Sequence, residues 1–270
     1  MTGLGSLWPA EGAALVGVGI GPGDPSLVTL RAVQVLETAD VVIAPSTSEA
    51  SVGRAEAVVR EVAPRANCER VVFVMEVDTA ARHAALAAVV ERVVARLDGG
   101  ERVAFVTLGD PNVYSTFSSV AEGVAAARPE AVVTTVPGIM AFQELAARSG
   151  TVVVDGEEHL VLVPAHREVG PTTTGSLADP HAAVVIYKGG RRMAQLAAEA
   201  EANGRLDGAV LGELLGLPGE RLAPLAEVVA DGRPVTYLST VIVPPRRPAA
   251  APATDGQAGS TPADPTVGAP

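Results

Sequence analysis

The sequence predicts an α/β protein made of two α/β domains with a ligand cleft between them. Short apolar runs that end in glycine alternate with longer segments whose apolar residues recur at helical spacing. Glycine turns follow three of those runs directly, near residues 17–24, 108–111 and 137–138. After Thr151 the tempo changes and strands outnumber helices, which divides the chain into domains at 14–138 and 139–244. The 270 residues are 48% apolar but only 3% aromatic, so Ala, Val and Leu must form the core. That composition suits helices packed on a buried sheet better than an aromatic-rich sandwich.

Taken in order, residues 1–13 read as a loose leader. Residues 14–18 read as a buried strand that ends in glycines. Asp24 and Pro25 suit an N-cap and a first helical position, opening a helix over 26–39. A strand at 41–44 and a helix at 53–62, stopped by Pro64, follow. A strand at 71–75 leads to a long helix over 79–97 that ends at Gly99 and Gly100. Strands at 102–108 and 132–136 precede a helix at 139–148 with Gly150 as its cap. In the second half, 160–163, 183–187, 208–215 and 237–243 read as strands, and 191–203 as the one long helix. The tail 245–270 is almost all Pro, Ala, Gly, Ser and Thr, a composition expected to be disordered.

Charge and cysteine usage exclude several classes. The net charge of −11 disfavours general binding to nucleic acid or an anionic membrane. The single cysteine, Cys68, makes no internal disulfide, and the four histidines lack ligand spacing, so no metal is expected. Neither a signal-peptide pattern nor a long apolar span is present, and the expected location is the cytoplasm.

Four segments carry chemistry. Gly17-Val-Gly19-Ile-Gly21-Pro22-Gly23-Asp24 fails the dinucleotide pattern GxGxxG, because Pro22 or Asp24 stands where the third glycine belongs. An acid there would also repel a pyrophosphate. Residues 107–116, Thr-Leu-Gly-Asp-Pro-Asn-Val-Tyr-Ser-Thr, lie at the carboxyl end of a predicted strand, the edge where open α/β sheets bind ligands. Val136-Pro137-Gly138-Ile139-Met140-Ala141 is a turn that opens a helix with free N–H groups. Tyr237-Leu-Ser-Thr-Val-Ile-Val is a strand with hydroxyls and no charge. Each alone is compatible with plain capping and turn chemistry.

Together, GIGPGD at 19–24, GDPNVY at 109–114, VPGIMA at 136–141 and the closing uncharged strand closely resemble the tetrapyrrole methylase family, over residues 14–244. Tyr114-Ser115-Thr116-Phe117, VVFVM at 71–75, Gly53-Arg54-Ala55-Glu56 and YLSTVIV at 237–243 are most similar to its branch acting at C20 of precorrin-2 or cobalt-factor II. The resemblance implies homodimers with S-adenosylmethionine held between two α/β domains, not a Rossmann-type methyltransferase site. It implies methyl transfer to C20 in cobalamin biosynthesis. Methylation of another tetrapyrrole position, such as on uroporphyrinogen III, stays open. A dinucleotide-dependent oxidoreductase and a non-catalytic tetrapyrrole carrier are the readings from other classes.

Carried over by position, the implied cofactor contacts are Pro22, Leu108, Gly109, Asp110, Val113, Tyr114, Ser115 and Thr116 in the first two loops. Ile139, Met140 and Ala141 follow the Pro-Gly turn, and Tyr187, Leu214, Ser239, Thr240 and Val241 belong to the second half. Gly21, Gly23, Asp24, Arg31 and Arg54 are the expected substrate contacts, with Arg191 and Arg192 as further carboxylate-binding candidates. A carboxylate about 4 Å from a sulfonium gains roughly 4 kcal/mol at an effective dielectric near 20. That attraction fades as the methyl leaves, so Asp110 is assigned to binding. The catalytic proton acceptor is unassigned; Asp24 and Tyr114 are its candidates. Lys188, the only lysine, follows a predicted strand at a position where the family often has lysine, but the Gly189-Gly190 after it departs from the pattern.

Overall fold

The computed structural model describes residues 8, 12–73, 79–165 and 169–247. The first sheet opens with β1 (Ala14–Gly19), buried along its whole length. The expected helix over 26–39 divides in two. Asp24 caps a single 3-10 turn at Pro25–Leu27 by accepting the Ser26 N–H at 2.8 Å. Thr29 then caps α1 (Leu30–Thr38), its hydroxyl accepting the Ala32 N–H at 3.2 Å. Two competing N-caps five residues apart explain the break.

β2 (Val41–Ser46) and α2 (Arg54–Val62) follow as expected. β3 (Cys68–Val72) lies earlier than the strand read at 71–75, whose last two residues fall outside the described residues. Its early half carries Glu69 and Arg70, and charge is tolerated because β3 is an edge strand. After α3 (Thr79–Asp98) and β4 (Arg102–Thr107) comes α4 (Phe117–Ala127), an element beyond those the sequence predicts. Phe117, Val120 and Val124 give α4 its buried stripe. β5 (Val132–Val136) completes a parallel sheet of order β3-β2-β4-β1-β5. One core lies between this sheet and α1 and α2, the other between it and α3 and α4. β4 and β5 flank β1, so the loops leaving the carboxyl ends of these three strands converge.

Among the described residues of the expected loose leader, Trp8 is anchored. Trp8 is buried in the first core, donates to the Thr38 hydroxyl at 2.9 Å, and has the Arg102 guanidinium 5.7 Å above its ring.

The chain crosses into the second unit through α5 (Ala141–Ser149), ended by Gly150 in the left-handed region as the sequence predicts. α5 packs against the second sheet. That sheet contains β6 (His159–Pro164), then, after α6 (Pro171–Ala178), β7 (Ala182–Tyr187). α7 (Met193–Ala202) is the expected long helix, preceded by a 3-10 turn at Gly190–Arg192. β8 (Val210–Glu213), β9 (Arg221–Pro224), α8 (Leu225–Asp231) and β10 (Ser239–Val243) follow. The order is β6-β7-β10-β8-β9, with only β6 and β7 parallel. The strands read at 208–215 and 237–243 are shorter than expected; Gly208 and Leu214, at φ of 82° and 53°, leave the extended region on either side of β8. Among the described residues, no helix is long and apolar enough to cross a membrane.

Candidate functional site

The three glycine words of the first domain form one junction. The Ile20 N–H donates to the Thr107 carbonyl at 3.0 Å, and the Gly109 N–H to the Gly21 carbonyl at 2.8 Å. A Cβ on Gly19 would sit 2.5 Å from the Gly109 carbonyl oxygen, and one on Gly138 only 2.1 Å from that same oxygen. The backbones touch, so no side chain fits. Asp110 ties the loops further: its carboxylate accepts the Asn112 N–H at 2.8 Å and the Gly138 N–H at 3.1 Å.

The first loop also meets the second domain. A Cβ on Gly23 would lie 2.5 Å from the Leu215 carbonyl, and one on Gly216 would lie 2.4 Å from the Asp24 nitrogen. Nearby, Arg148 of α5 holds Glu220 by two hydrogen bonds of 2.5 and 2.6 Å, and Glu220 accepts the Gly216 N–H at 2.8 Å. The Arg148 contact holds the Glu220 carboxyl below its ordinary range.

Between the domains lies a cavity of about 140 Å³. Pro22, Leu108, Gly109, Asp110, Val113, Tyr114, Met140 and Ala141 line it from one side, and Tyr187, Leu214, Ser239 and Thr240 from the other. Most of the expected cofactor contacts therefore meet there. Ser115, Thr116, Ile139 and Val241 do not line it. Ser115 and Thr116 instead start α4: the Ser115 hydroxyl accepts the Phe117 N–H at 3.1 Å, and Thr116 is the cap residue. Val241 alternates inward on β10 and is buried in the second core.

The expected substrate contacts fall elsewhere. Gly21 is used in the loop junction, Gly23 and Asp24 lie in the seam between the domains, and Arg31 and Arg54 are exposed on α1 and α2. Arg191 lines a separate hollow with Val228, Val229 and Arg233. Lys188, Gly212, Leu215, Leu217, Tyr237 and Leu238 complete the wall and were not among the expected contacts. Tyr237 and Leu238 belong to a segment the sequence had singled out. Gly212, Leu215 and Leu217 carry no local signal.

Neither candidate proton acceptor is placed to act as one. The Asp24 carboxylate accepts the Ser26 N–H, which holds it below its ordinary range, and it does not line the cavity. The Tyr114 hydroxyl donates its proton to the Leu162 carbonyl at 2.7 Å, and partial burial raises the phenol above its ordinary value.

Strain is concentrated at the cavity. Tyr114, Lys188 and Leu214, at φ of 50°, 62° and 53°, are the only non-glycine residues in the left-handed region among those described, and all three line it. Such a conformation costs on the order of 1–3 kcal/mol each and persists where the surroundings enforce it. The wall also has unfilled hydrogen-bond capacity. The Ser239 and Tyr187 hydroxyls are buried and complete no hydrogen bond. Burial drives the Tyr187 phenol well above its ordinary value, and the nearby Phe142 amide offsets only part of this. Among the described residues, no group of His, Cys, Asp or Glu could hold a metal ion.

A family profile described as Tetrapyrrole (Corrin/Porphyrin) Methylases matches residues 14–229. The chain belongs to this family. It is 33% identical to the cobalamin biosynthesis protein CobIJ of Mycobacterium tuberculosis over 255 residues, 90% of this chain but only 47% of that protein. It thus spans about half the length of that relative. It is also 33% identical to a precorrin-2 C(20)-methyltransferase of a Sinorhizobium species, with 85% of this chain and 94% of the relative aligned. The tetrapyrrole methylase fold recurs in uroporphyrin-III C-methyltransferase of Thermus thermophilus, complexed with S-adenosylhomocysteine: TM-score 0.60, 24% identity, covering 86% of this chain and 97% of the other. This is the two-domain α/β architecture the sequence predicted.

Proposed function

We propose that the protein transfers a methyl group from S-adenosylmethionine to C20 of precorrin-2 or cobalt-factor II in cobalamin biosynthesis, acting as a homodimer. One observation carries the reading: the family's glycine words and the hydroxyl-bearing start of β10 line a single cavity between the domains. The relatives named for C20 methylation, at 33% and 27% identity over most of their length, support the position on the ring.

The residues fit the cofactor. S-adenosylmethionine supplies, when bound, an electrophilic methyl on a sulfonium, and it carries no phosphate. The wall offers a carboxylate, close-approach backbone and two buried hydroxyls without partners. The Asp110 charge favours the sulfonium in the bound state. Leu108, Gly109, Met140 and Ala141 present backbone and apolar surface, while Ser239 and Tyr187 gain a use for their hydroxyls. With an electron-rich tetrapyrrole as nucleophile, the chain contributes mainly alignment, a lever of up to about 7–11 kcal/mol. Tyr114, as a hydrogen-bond donor, orients and does not abstract.

Calorimetric titration with S-adenosylhomocysteine, repeated with NADH, tests the reading. Saturable binding of S-adenosylhomocysteine alone, near one per chain, is expected; binding of NADH alone would replace the reading with the oxidoreductase one. Incubation with precorrin-2, with cobalt-factor II and with uroporphyrinogen III, followed by NMR of the new methyl, then fixes the position. A methyl found anywhere but C20 would overturn the finer assignment.

Ser239→Ala supplies a separate check. Its buried hydroxyl makes no hydrogen bond in the free protein, so its loss should leave thermal stability unchanged or slightly raised. A hydrogen bond made only to the ligand is worth about 1 kcal/mol, so S-adenosylhomocysteine affinity should fall about fivefold. Unchanged affinity would remove Ser239 from the binding set.

A further inference from the structure

The only lysine and all three tyrosines of the chain line one cavity. Among the described residues, Lys188 and Asp110 are the only charged ones on its wall, and they are not equivalent. The Asp110 carboxylate already accepts two backbone N–H groups. The Lys188 ammonium donates to the Tyr114 carbonyl at 3.1 Å and lies 5.6 Å from the centre of the Tyr237 ring. Neither partner carries a charge, and none of the described salt bridges includes Lys188. An ammonium has three donors and here meets one carbonyl and one ring face.

The backbone is arranged to put it there. β7 ends at Tyr187, and Lys188 turns into the left-handed region at φ 62°, where a residue with a Cβ is disfavoured. Its own N–H is fixed to the Ser239 carbonyl at 3.2 Å. On the opposite wall, Tyr114 turns the same way at φ 50° and presents the carbonyl that Lys188 reaches. Both domains thus hold strained residues whose joint effect is an ammonium at the cavity wall that, among the described residues, is in no ion pair. The protein as a whole is acidic, at −11, so this local cation opposes the overall field.

We propose that Lys188 is the anion-reading residue of the cavity and takes a carboxylate of a bound ligand. The inference rests on the methyltransferase reading, under which two sources offer that group: the aminoacyl end of the cofactor and the acidic side chains of the tetrapyrrole. Lys188 then binds and positions, and transfers no proton.

The test uses the full chain with Lys188→Gln, which keeps a donor for the Tyr114 carbonyl and removes the charge, and Lys188→Arg, which keeps the charge. Three readouts are taken: S-adenosylhomocysteine affinity, 5′-methylthioadenosine affinity, and the kcat and KM for precorrin-2. A charge-assisted hydrogen bond is worth enough that Lys188→Gln should weaken its ligand roughly 10- to 100-fold. Lys188→Arg should recover most of that loss. If the carboxylate is the cofactor's, S-adenosylhomocysteine weakens while 5′-methylthioadenosine, which lacks the aminoacyl group, binds as before. If it is the tetrapyrrole's, both nucleosides bind as before and the precorrin-2 KM rises with kcat little changed. Either pattern supports the proposal. Wild-type values throughout in Lys188→Gln would overturn it, as would equal weakening of both nucleosides, which would mean the contact only braces the wall. A wild-type chain that binds no S-adenosylhomocysteine would instead overturn the methyltransferase reading, and this inference with it.

Discussion

Gly138→Ala is expected to abolish S-adenosylhomocysteine binding and to lower the thermal midpoint by several degrees. The added Cβ would sit 2.1 Å from the Gly109 carbonyl oxygen and 2.8 Å from the Cα and the carbonyl carbon of Gly19. All of these are backbone atoms, so no side chain can swing away. Relief requires moving the loops that leave β1, β4 and β5, and Gly109 is itself pinned by the Gly21 carbonyl at 2.8 Å. Moving Gly138 also stretches the 3.1 Å bond its N–H makes to Asp110. Overpacking of this kind costs about 1–3 kcal/mol or more. At about 2–4 °C per kcal/mol for a chain of this size, that is a drop of roughly 2–12 °C. Gly175→Ala is the control. Gly175 is inside α6, no heavy atom lies within 4 Å of its added Cβ, and its replacement should leave binding intact and stability equal or slightly higher. Calorimetry of both variants decides. Wild-type affinity and midpoint in Gly138→Ala would show that the loops yield, and the junction would lose its role as the rigid floor of the cavity.

The junction is also where the sequence was most legible. Glycines recur there because three backbones touch, and backbone contact leaves a local word in the sequence: GIGPGD, GDP, VPG. Strands buried on both faces, such as β1, β4 and β7, were equally plain as apolar runs. Elements with weak local signals were missed. α6 reads Pro-Thr-Thr-Thr-Gly-Ser-Leu-Ala, poor in helix formers, and α8 has only seven residues, too few to establish a period. α4 is hidden by its position just after a motif, whose Ser115 and Thr116 also start the helix. Arg31 and Arg54 are exposed on α1 and α2, away from the cavity. A solvated arginine and a ligand-binding arginine look alike in sequence. Contacts set by distant segments leave no word at all, and Arg205 is the clearest case.

Arg205→Met is expected to unfold the second domain ahead of the first. Arg205 is 3% exposed, yet no local pattern singles it out. One guanidinium nitrogen donates to the carbonyls of Ser176, Leu177 and Asp179 at 3.1, 3.0 and 3.0 Å. The other donates to Val243 at 3.2 Å, Pro244 at 2.9 Å, and Ala182. The end of α6, the start of β7 and the end of β10 are thereby fastened to the turn just past the end of α7. Burial pulls the guanidinium below its ordinary value, but an arginine stays charged at any pH the fold survives. Methionine keeps much of the volume and removes every donor. Each carbonyl left buried without a partner costs on the order of 1–3 kcal/mol, and water entering the gap recovers part of it. A net loss of about 4 kcal/mol corresponds to roughly 8–16 °C. Arg205→Lys, with three donors on one nitrogen, should fall between. The only tryptophan separates the domains spectroscopically, because Trp8 is buried in the first core. Far-ultraviolet circular dichroism should therefore show an early transition in Arg205→Met, while Trp8 fluorescence keeps a midpoint near that of the wild type. A shared early midpoint would mean that the seam through Arg148 and Glu220 couples the domains into one cooperative unit. An unchanged dichroism midpoint would mean that the six carbonyls are satisfied without Arg205.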